Sequence, residues 1–264
     1  MYTKYDLKKQ LKNLKINPSG TVFVHSSFKS MGEIEGGPDT VLDALSEYMK
    51  EGLLVLPSHT WSQVNDEAPF FDVEKMPTNV GILTELFRHR EGVIRSWHPT
   101  HSVAALGKEA KAFTSGEEKM DTPCARESVY GKLLDRKAQI LLIGVDLKRN
   151  TFIHGIEEWL NIPNRIKDSH ELLYTVLSDG TTLPVPSRRH TASWSKFYSK
   201  ADELLLQTDA MYIGEIGDAE VRVCDTKRMT EVLTTLLEID SAIFSNDQPI
   251  SEKVKKQVFL DLHE

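Results

Sequence analysis

Three segments of the chain combine residue types able to do acid–base or ligand-binding chemistry. The most pointed is Gly144-Val145-Asp146-Leu147-Lys148-Arg149-Asn150-Thr151-Phe152-Ile153-His154-Gly155-Ile156-Glu157-Glu158. An apolar run from Gln139 to Val145 gives way to a polar loop in which Asn150 or Thr151 can cap a helix that starts at once. His154 then falls in the first helical turn. Three residues on, Glu157 shares its face and can accept a hydrogen bond from one imidazole nitrogen, leaving the other free as a base. The helix N-terminus lowers the imidazole pKa and the carboxylate raises it, so a base poised near neutrality is expected. A His-Glu pair at this spacing is also a common surface feature, and spacing alone does not separate the two.

The second segment is Val24-His25-Ser26-Ser27-Phe28-Lys29-Ser30-Met31-Gly32, read as a polar loop after a buried strand. Hydroxyls and amides at a strand end can hold a phosphate or an amide-rich ligand, and Lys29 can offset negative charge. A serine-rich turn with capping duties fits the same residues. The third, Arg95-Ser96-Trp97-His98-Pro99-Thr100-His101-Ser102, places two histidines three apart. Pro99 between them disfavours the helix that would align both rings on a metal, so structural or cofactor-contacting histidines are expected. Ser187-Arg188-Arg189-His190 is a basic patch able to meet an anionic cofactor or substrate, with a solvated turn as the default. The chain has no G-x-S-x-G elbow, G-x-x-x-x-G-K-[ST] loop, G-x-G-x-x-G after a strand, or H-E-x-x-H, which argues against serine hydrolases, nucleotidases, dehydrogenases and zinc peptidases.

The elements that must position these residues follow an α/β pattern. A surface helix with Leu7, Leu11 and Leu14 on one stripe precedes a short strand, Thr21 to Val24. After Gly36-Gly37-Pro38 come a helix with Val41, Leu42, Leu45, Tyr48 and Met49 on one face and a second buried strand, Leu53 to Leu56. That order is a parallel crossover unit, and such folds place their sites where strands end. Residues 57–80 form a long irregular loop of the kind that covers a site, and its Asp66 and Glu67 could attract a polycation. A short helix is expected from Gly81 to Arg88, a central strand from Gln139 to Val145, and a hairpin from Leu172–Leu177 and Thr182–Val185 around Ser178-Asp179-Gly180-Thr181. Two late helices carry Met229, Val232, Leu233, Leu236 and Leu237, then Val254, Val258 and Leu262. The reading is one α/β domain over residues 1–264, with a mixed central sheet flanked by helices on both faces.

Composition agrees. The 264 residues are 40% hydrophobic and 27% charged, which is ordinary for a folded globular protein. With 32 basic against 39 acidic residues the net charge is −7, which argues against a nucleic-acid partner and is compatible with a cationic small molecule. Two cysteines a hundred residues apart suggest neither a disulfide framework nor a structural zinc site. The polar N-terminus lacks a signal-peptide core and no stretch reaches membrane-spanning length, so a cytoplasmic protein is expected. Monomer and homodimer are equally compatible with the composition.

Taken in order, the three segments resemble the aminoglycoside 3-N-acetyltransferase family of coenzyme A-dependent enzymes. Pro77-Thr78-Asn79-Val80-Gly81 and the late Ile213-Gly214-Glu215-Ile216-Gly217-Asp218-Ala219 add to the match, which spans most of the chain. The resemblance implies transfer of an acetyl group from acetyl-CoA to the 3-amino group of an aminoglycoside, or to a similar amino sugar, in a non-GNAT fold and without a metal. It also implies roles. His154 matches the family's catalytic histidine and Glu157 the carboxylate beside it. His25, Ser26, Ser27, Phe28, Lys29, Ser30 and Met31, then Thr78, Val80, Gly81 and Ile82, then His98 and Ser102, match segments lining the acetyl-CoA site. Ser26, Ser27 or Ser102 are candidates to stabilise the tetrahedral oxyanion. Two other readings of these residues compete: a metal-dependent hydrolase built from His98, His101, His154 and Glu157, and a non-catalytic CoA-binding protein.

Overall fold

The structure, a computed structural model, describes residues 1–263. Thr3 starts helix α1 (Lys4–Asn13) with a capping box, its hydroxyl and the Asp6 carboxylate each satisfying the other's backbone N–H. Strand β1 (Thr21–Ser26) leads through a short 3-10 turn, Phe28–Met31, to α2 (Gly37–Tyr48) and β2 (Leu53–Pro57). Then come β3 (Phe70–Asp72), α3 (Ile82–Phe87), β4 (Ile94–Arg95), β5 (Val103–Gly107), α4 (Ala110–Thr114) and α5 (Val129–Asp135). Strand β6 (Gln139–Ile143) feeds α6 (Phe152–Trp159), which is followed by the hairpin β7 (Glu171–Val176) and β8 (Thr182–Ser187). A 3-10 segment, Trp194–Ala201, runs into α7 (Asp202–Gln207), and β9 (Met211–Ile216), β10 (Ala219–Asp225), α8 (Thr226–Ile239) and α9 (Glu252–Asp261) complete the chain.

Among the described residues, seven strands form one sheet in the order β4-β5-β2-β1-β6-β10-β9. The middle three, β2, β1 and β6, are parallel, and antiparallel strands flank them on both sides. Side chains alternate between two cores. Val22, Val24, Leu54, Leu56, Leu141 and Ile143 pack under α1, α2 and α3, whereas Phe23, Leu53, Val55, Ile140 and Leu142 pack against α5, α6 and α8. The unbroken apolar runs read from the sequence arise because both faces of these strands are covered. No helix of the described residues is long and apolar enough to cross a membrane.

Three expectations need correction. Strand β1 continues through His25 and Ser26, so the polar loop begins only at Ser27. The hairpin forms, but it pairs with β3 in a separate three-stranded sheet, β3-β7-β8. Pro184 and Pro186 lack the N–H groups that an interior strand must donate, and β8 accordingly lies at an edge. The 57–80 loop is therefore not wholly irregular, since it contributes a strand. Arg95 ties this loop down, donating to the carbonyls of Ser58, Val73 and Met76 at 2.9, 3.1 and 2.6 Å.

The parallel strands all end at one edge, and the β9–β10 turn closes over it. Gly217 there has φ +61°, and a Cβ at this position would lie 2.2 Å from the Met31 carbonyl oxygen. Neither the backbone conformation nor the backbone neighbour can yield cheaply. We therefore expect Gly217→Ala to lower stability by about 2–4 kcal/mol, read as a reduced urea midpoint with an unchanged slope; an unaltered midpoint would contradict the close packing.

Candidate active site

Helix α6 emerges from this edge. The backbone N–H of Phe152 donates to the Asn150 side chain at 3.3 Å, so Asn150 rather than Thr151 supplies the cap bond. His154 and Glu157 point to the same side, with side chains 14% and 1% exposed: the imidazole reaches the surface and the carboxylate does not. The direct hydrogen bond expected between them is absent, since His154 Nδ1 stands 3.7 Å from Glu157 Oε2. The Tyr198 hydroxyl fills the gap. It lies 2.7 Å from His154 Nδ1 and donates to Glu157 Oε2. On the other side Arg165 Nε donates to Glu157 Oε1 at 2.6 Å, and its guanidinium stacks over Trp194 at 4.4 Å.

These contacts fix the tautomer. A carboxylate only accepts, so the Tyr198 proton goes to Glu157, and the phenol oxygen must accept from an Nδ1–H of His154. The Nε2 lone pair is left over, and among the described residues Nε2 has no hydrogen-bond partner. Burial, then the neighbouring His190, hold the His154 pKa below its ordinary value of 6.5, with Glu157 pulling the other way. Burial pushes Glu157 up, but His154, Tyr198 and Arg165 more than offset it and the carboxyl ends below its usual range. Burial and Glu157 drive the Tyr198 phenol well above its usual pKa, so it stays a proton donor.

More imidazoles gather along the same edge. His154 stacks on His190 (centroids 4.3 Å apart), His190 meets His101 edge-on at 5.4 Å, and His101 lies 4.9 Å from His59. His59 Nε2 is 2.8 Å from the buried Tyr130 hydroxyl. The solvated turn expected at the basic patch does not include His190. Its neighbours are engaged in ion pairs and carbonyl contacts: Arg188 pairs with Asp121, and Arg189 with Glu171 and the Trp61 and Val64 carbonyls. Both arginines of the patch are thus held by acidic partners or carbonyls.

The expected cofactor-contacting residues divide. Ser26, Ser27, Phe28, Lys29 and Ser30 reach the surface, as do Thr78, Val80, Gly81 and Ile82. The two stretches are neighbours, a Cβ on Gly81 falling 3.9 Å from the Ser26 carbonyl. The Ser27 N–H is taken by the Ile143 carbonyl at 2.8 Å, leaving the hydroxyls of Ser26 and Ser27 free of partners among the described residues. Thr78 spans to His59, its hydroxyl donating to the His59 carbonyl at 3.1 Å. By contrast, Met31 is wholly enclosed in the core beneath α2, because its 3-10 turn directs it inward. His98 is also fully buried, its Nδ1 accepting from the Thr100 and His101 amides, and burial lowers its pKa to about 4. Ser102 is enclosed too, its hydroxyl donating to the Ser58 carbonyl at 2.6 Å, which removes it as an oxyanion donor. His25 is nearly buried against Phe23, and burial lowers its pKa to about 3. The side chains of Met31, His98 and Ser102 therefore meet no ligand at the surface.

The hydrolase's ligand set does not converge. His154 Nδ1 and both Glu157 oxygens are engaged as above, and His98 uses Nδ1 to close its own turn. Among the described residues, the three ligand-type side chains brought within 4.8 Å of one another are Cys124, Glu158 and His190. Hydrogen bonds close that cluster on itself: His190 Nε2 donates to Glu158 at 2.8 Å, the Cys124 amide donates to the same carboxylate, and burial keeps the Cys124 thiol protonated.

Tyr198, Arg165 and His59 carry no local signal in the sequence, and His190 stands out only as part of the basic patch. Arg165 and Tyr198 lie 8 and 41 residues beyond Glu157, outside any local spacing rule. A histidine at the end of the hairpin is the one available signal.

Comparisons with known proteins place the chain in a family. The family model described as aminoglycoside 3-N-acetyltransferase matches residues 23–238. Aminoglycoside N(3)-acetyltransferase IV of a Salmonella species is 29% identical over 92% of this chain and 90% of its own length. A crystal structure of aminoglycoside acetyltransferase AAC(3)-IVa, a histidine-to-alanine variant in complex with a gentamicin, superposes with a TM-score of 0.78 at 28% identity, covering 92% of this chain and 91% of that one. The fold is shared as well by AAC-IIIb in a binary complex with CoASH, at a TM-score of 0.80 and 23% identity over 90% and 97% of the two chains. The chain belongs to the aminoglycoside 3-N-acetyltransferase family and is an acetyltransferase.

Proposed function

We propose that this chain moves an acetyl group directly from acetyl-CoA to an amine of an aminoglycoside, with His154 Nε2 as general base. The observation that carries the reading is the Glu157–Tyr198–His154 relay, which leaves one unprotonated imidazole nitrogen at the surface. A sugar amine is mostly protonated at neutral pH and must lose a proton before its lone pair can attack. In the step proposed, the ammonium first gives one proton to solvent, and the neutral amine nitrogen then bonds to the thioester carbonyl carbon as His154 Nε2 takes a second N–H proton. The tetrahedral oxyanion then expels CoA thiolate by breaking the C–S bond, and the imidazolium returns its proton to the sulfur.

Several features support this assignment over its competitors. Cys124 cannot serve as an acyl carrier, since burial holds its thiol well above the ordinary pKa. The free hydroxyls of Ser26 and Ser27 are the remaining oxyanion candidates. Ser26 to Ser30 and Thr78 to Ile82 form adjoining partly exposed walls for the pantetheine arm, and CoASH occupies a protein of this fold. Gentamicin bound to AAC(3)-IVa supports a polycationic amino sugar as acceptor, and the net charge of −7 suits it. Acetyl-CoA and two free cysteines fit a cytoplasmic setting.

In a thiol-release assay with acetyl-CoA and an aminoglycoside panel, His154→Ala is expected to lower kcat by about a thousandfold or more while acetyl-CoA binding persists; unchanged turnover would remove the assigned role. Tyr198→Phe deletes the relay and should cost about tenfold to a hundredfold in kcat with KM little changed, an equal loss in KM alone being the contrary result. Because burial and His190 lower the His154 pKa, the acid limb of kcat/KM should lie below 6.5, with activity falling as pH drops through it. A limb above 6.5 would contradict the electrostatics.

A further inference from the structure

We propose that His190 is a positioning residue for His154, and that His190 with Glu158 forms a second imidazole–carboxylate pair stacked upon the first. The kinetic consequences rest on the acetyltransferase reading above, whereas the pairing rests on geometry alone. The two rings lie 4.3 Å apart with planes inclined by 25°. They come from different parts of the fold, His154 from α6 and His190 from just beyond β8. Glu158 accepts from His190 Nε2 at 2.8 Å and from the Cys124 backbone amide at 3.1 and 3.2 Å. A carboxylate only accepts, so the proton of this pair sits on His190 Nε2. The Cys124 carbonyl in turn accepts the Trp159 indole N–H at 2.9 Å, locking the loop that holds Glu158.

The backbone of His190 is tied to the first pair as well. It bridges Ile166, and the Thr191 amide donates to the carbonyl of Arg165, the residue whose guanidinium holds Glu157. One short ladder thus supports the cation behind Glu157 and the ring upon His154.

This arrangement does two things that Tyr198 cannot. One hydrogen bond at Nδ1 leaves the His154 ring free to rock about that contact, and a flat group against its face removes this freedom; small errors in the base's placement are costly to rate. Besides His154 and Glu158, His190 faces His101 and Cys124, with Glu157 and Tyr198 beyond the stacked ring. Positive charge on His190 opposes positive charge on His154 across the stack, which favours the free base.

The test compares His190→Ala, which removes both plate and charge, with His190→Phe, which keeps the plate. For acetyl transfer to an aminoglycoside, kcat should fall about tenfold or more in the alanine variant with both KM values within about twofold, and phenylalanine should restore most of it. In an NMR pH titration of substrate-free, histidine-labelled enzyme, His154 should titrate at higher pH in His190→Phe than in the parent. The titration requires no turnover, so it judges the pairing even if acetyl transfer proves not to be the reaction. An unchanged kcat in the alanine variant, a loss that phenylalanine does not restore, or a His154 midpoint unmoved in His190→Phe would each overturn the proposal.

Discussion

A single phenol hydroxyl organises the site. Tyr198 stands between a carboxylate and an imidazole that are too far apart to bond, and with one proton it satisfies the first and orients the second. Without it, Glu157 would hold a buried oxygen with no donor and His154 could expose either nitrogen. With it, the free lone pair is assigned to Nε2. The arrangement is tenable only because Arg165 neutralises Glu157 from the other side: a carboxylate enclosed to this degree without a cation would take up a proton or open to water.

The fold delivers these groups through its strand order. Three parallel strands end at one edge, where β1 closes on Ser26 and passes into the loop bearing Ser27, and β6 passes through a polar loop into helix α6. The flanking strand β5 runs oppositely, so the turn before it brings His98 and His101 to the same edge. The second sheet adds what the first lacks. Its edge strand β8 ends at Ser187, His190 follows three residues later, and the chain then turns into the 3-10 segment that carries Tyr198. The geometry of the site is thereby shared between the α/β core and a smaller appended layer.

Much of this is legible in the residues. The crossover from β1 through α2 to β2, the apolar β6 strand, helix α6 and its His-Glu face all follow from local patterns, because each element's burial repeats with its own period. The fate of the hairpin is not legible, since alternation and turn residues define a hairpin without saying which strand it joins. Nor is Tyr198, which touches Glu157 only through the tertiary fold. Met31, His98 and Ser102 mislead in the opposite sense. They sit within stretches that otherwise face the site, and a turn or a closing hydrogen bond directs each of them inward.

The protonation state of one ring decides the chemistry open to the site. Nitrogen-15 NMR of the His154 imidazole in the substrate-free enzyme at neutral pH reports it directly. The structure requires the tautomer with hydrogen on Nδ1 and a bare Nε2. A ring carrying its proton on Nε2, or charged at both nitrogens, would contradict the relay and the base it creates.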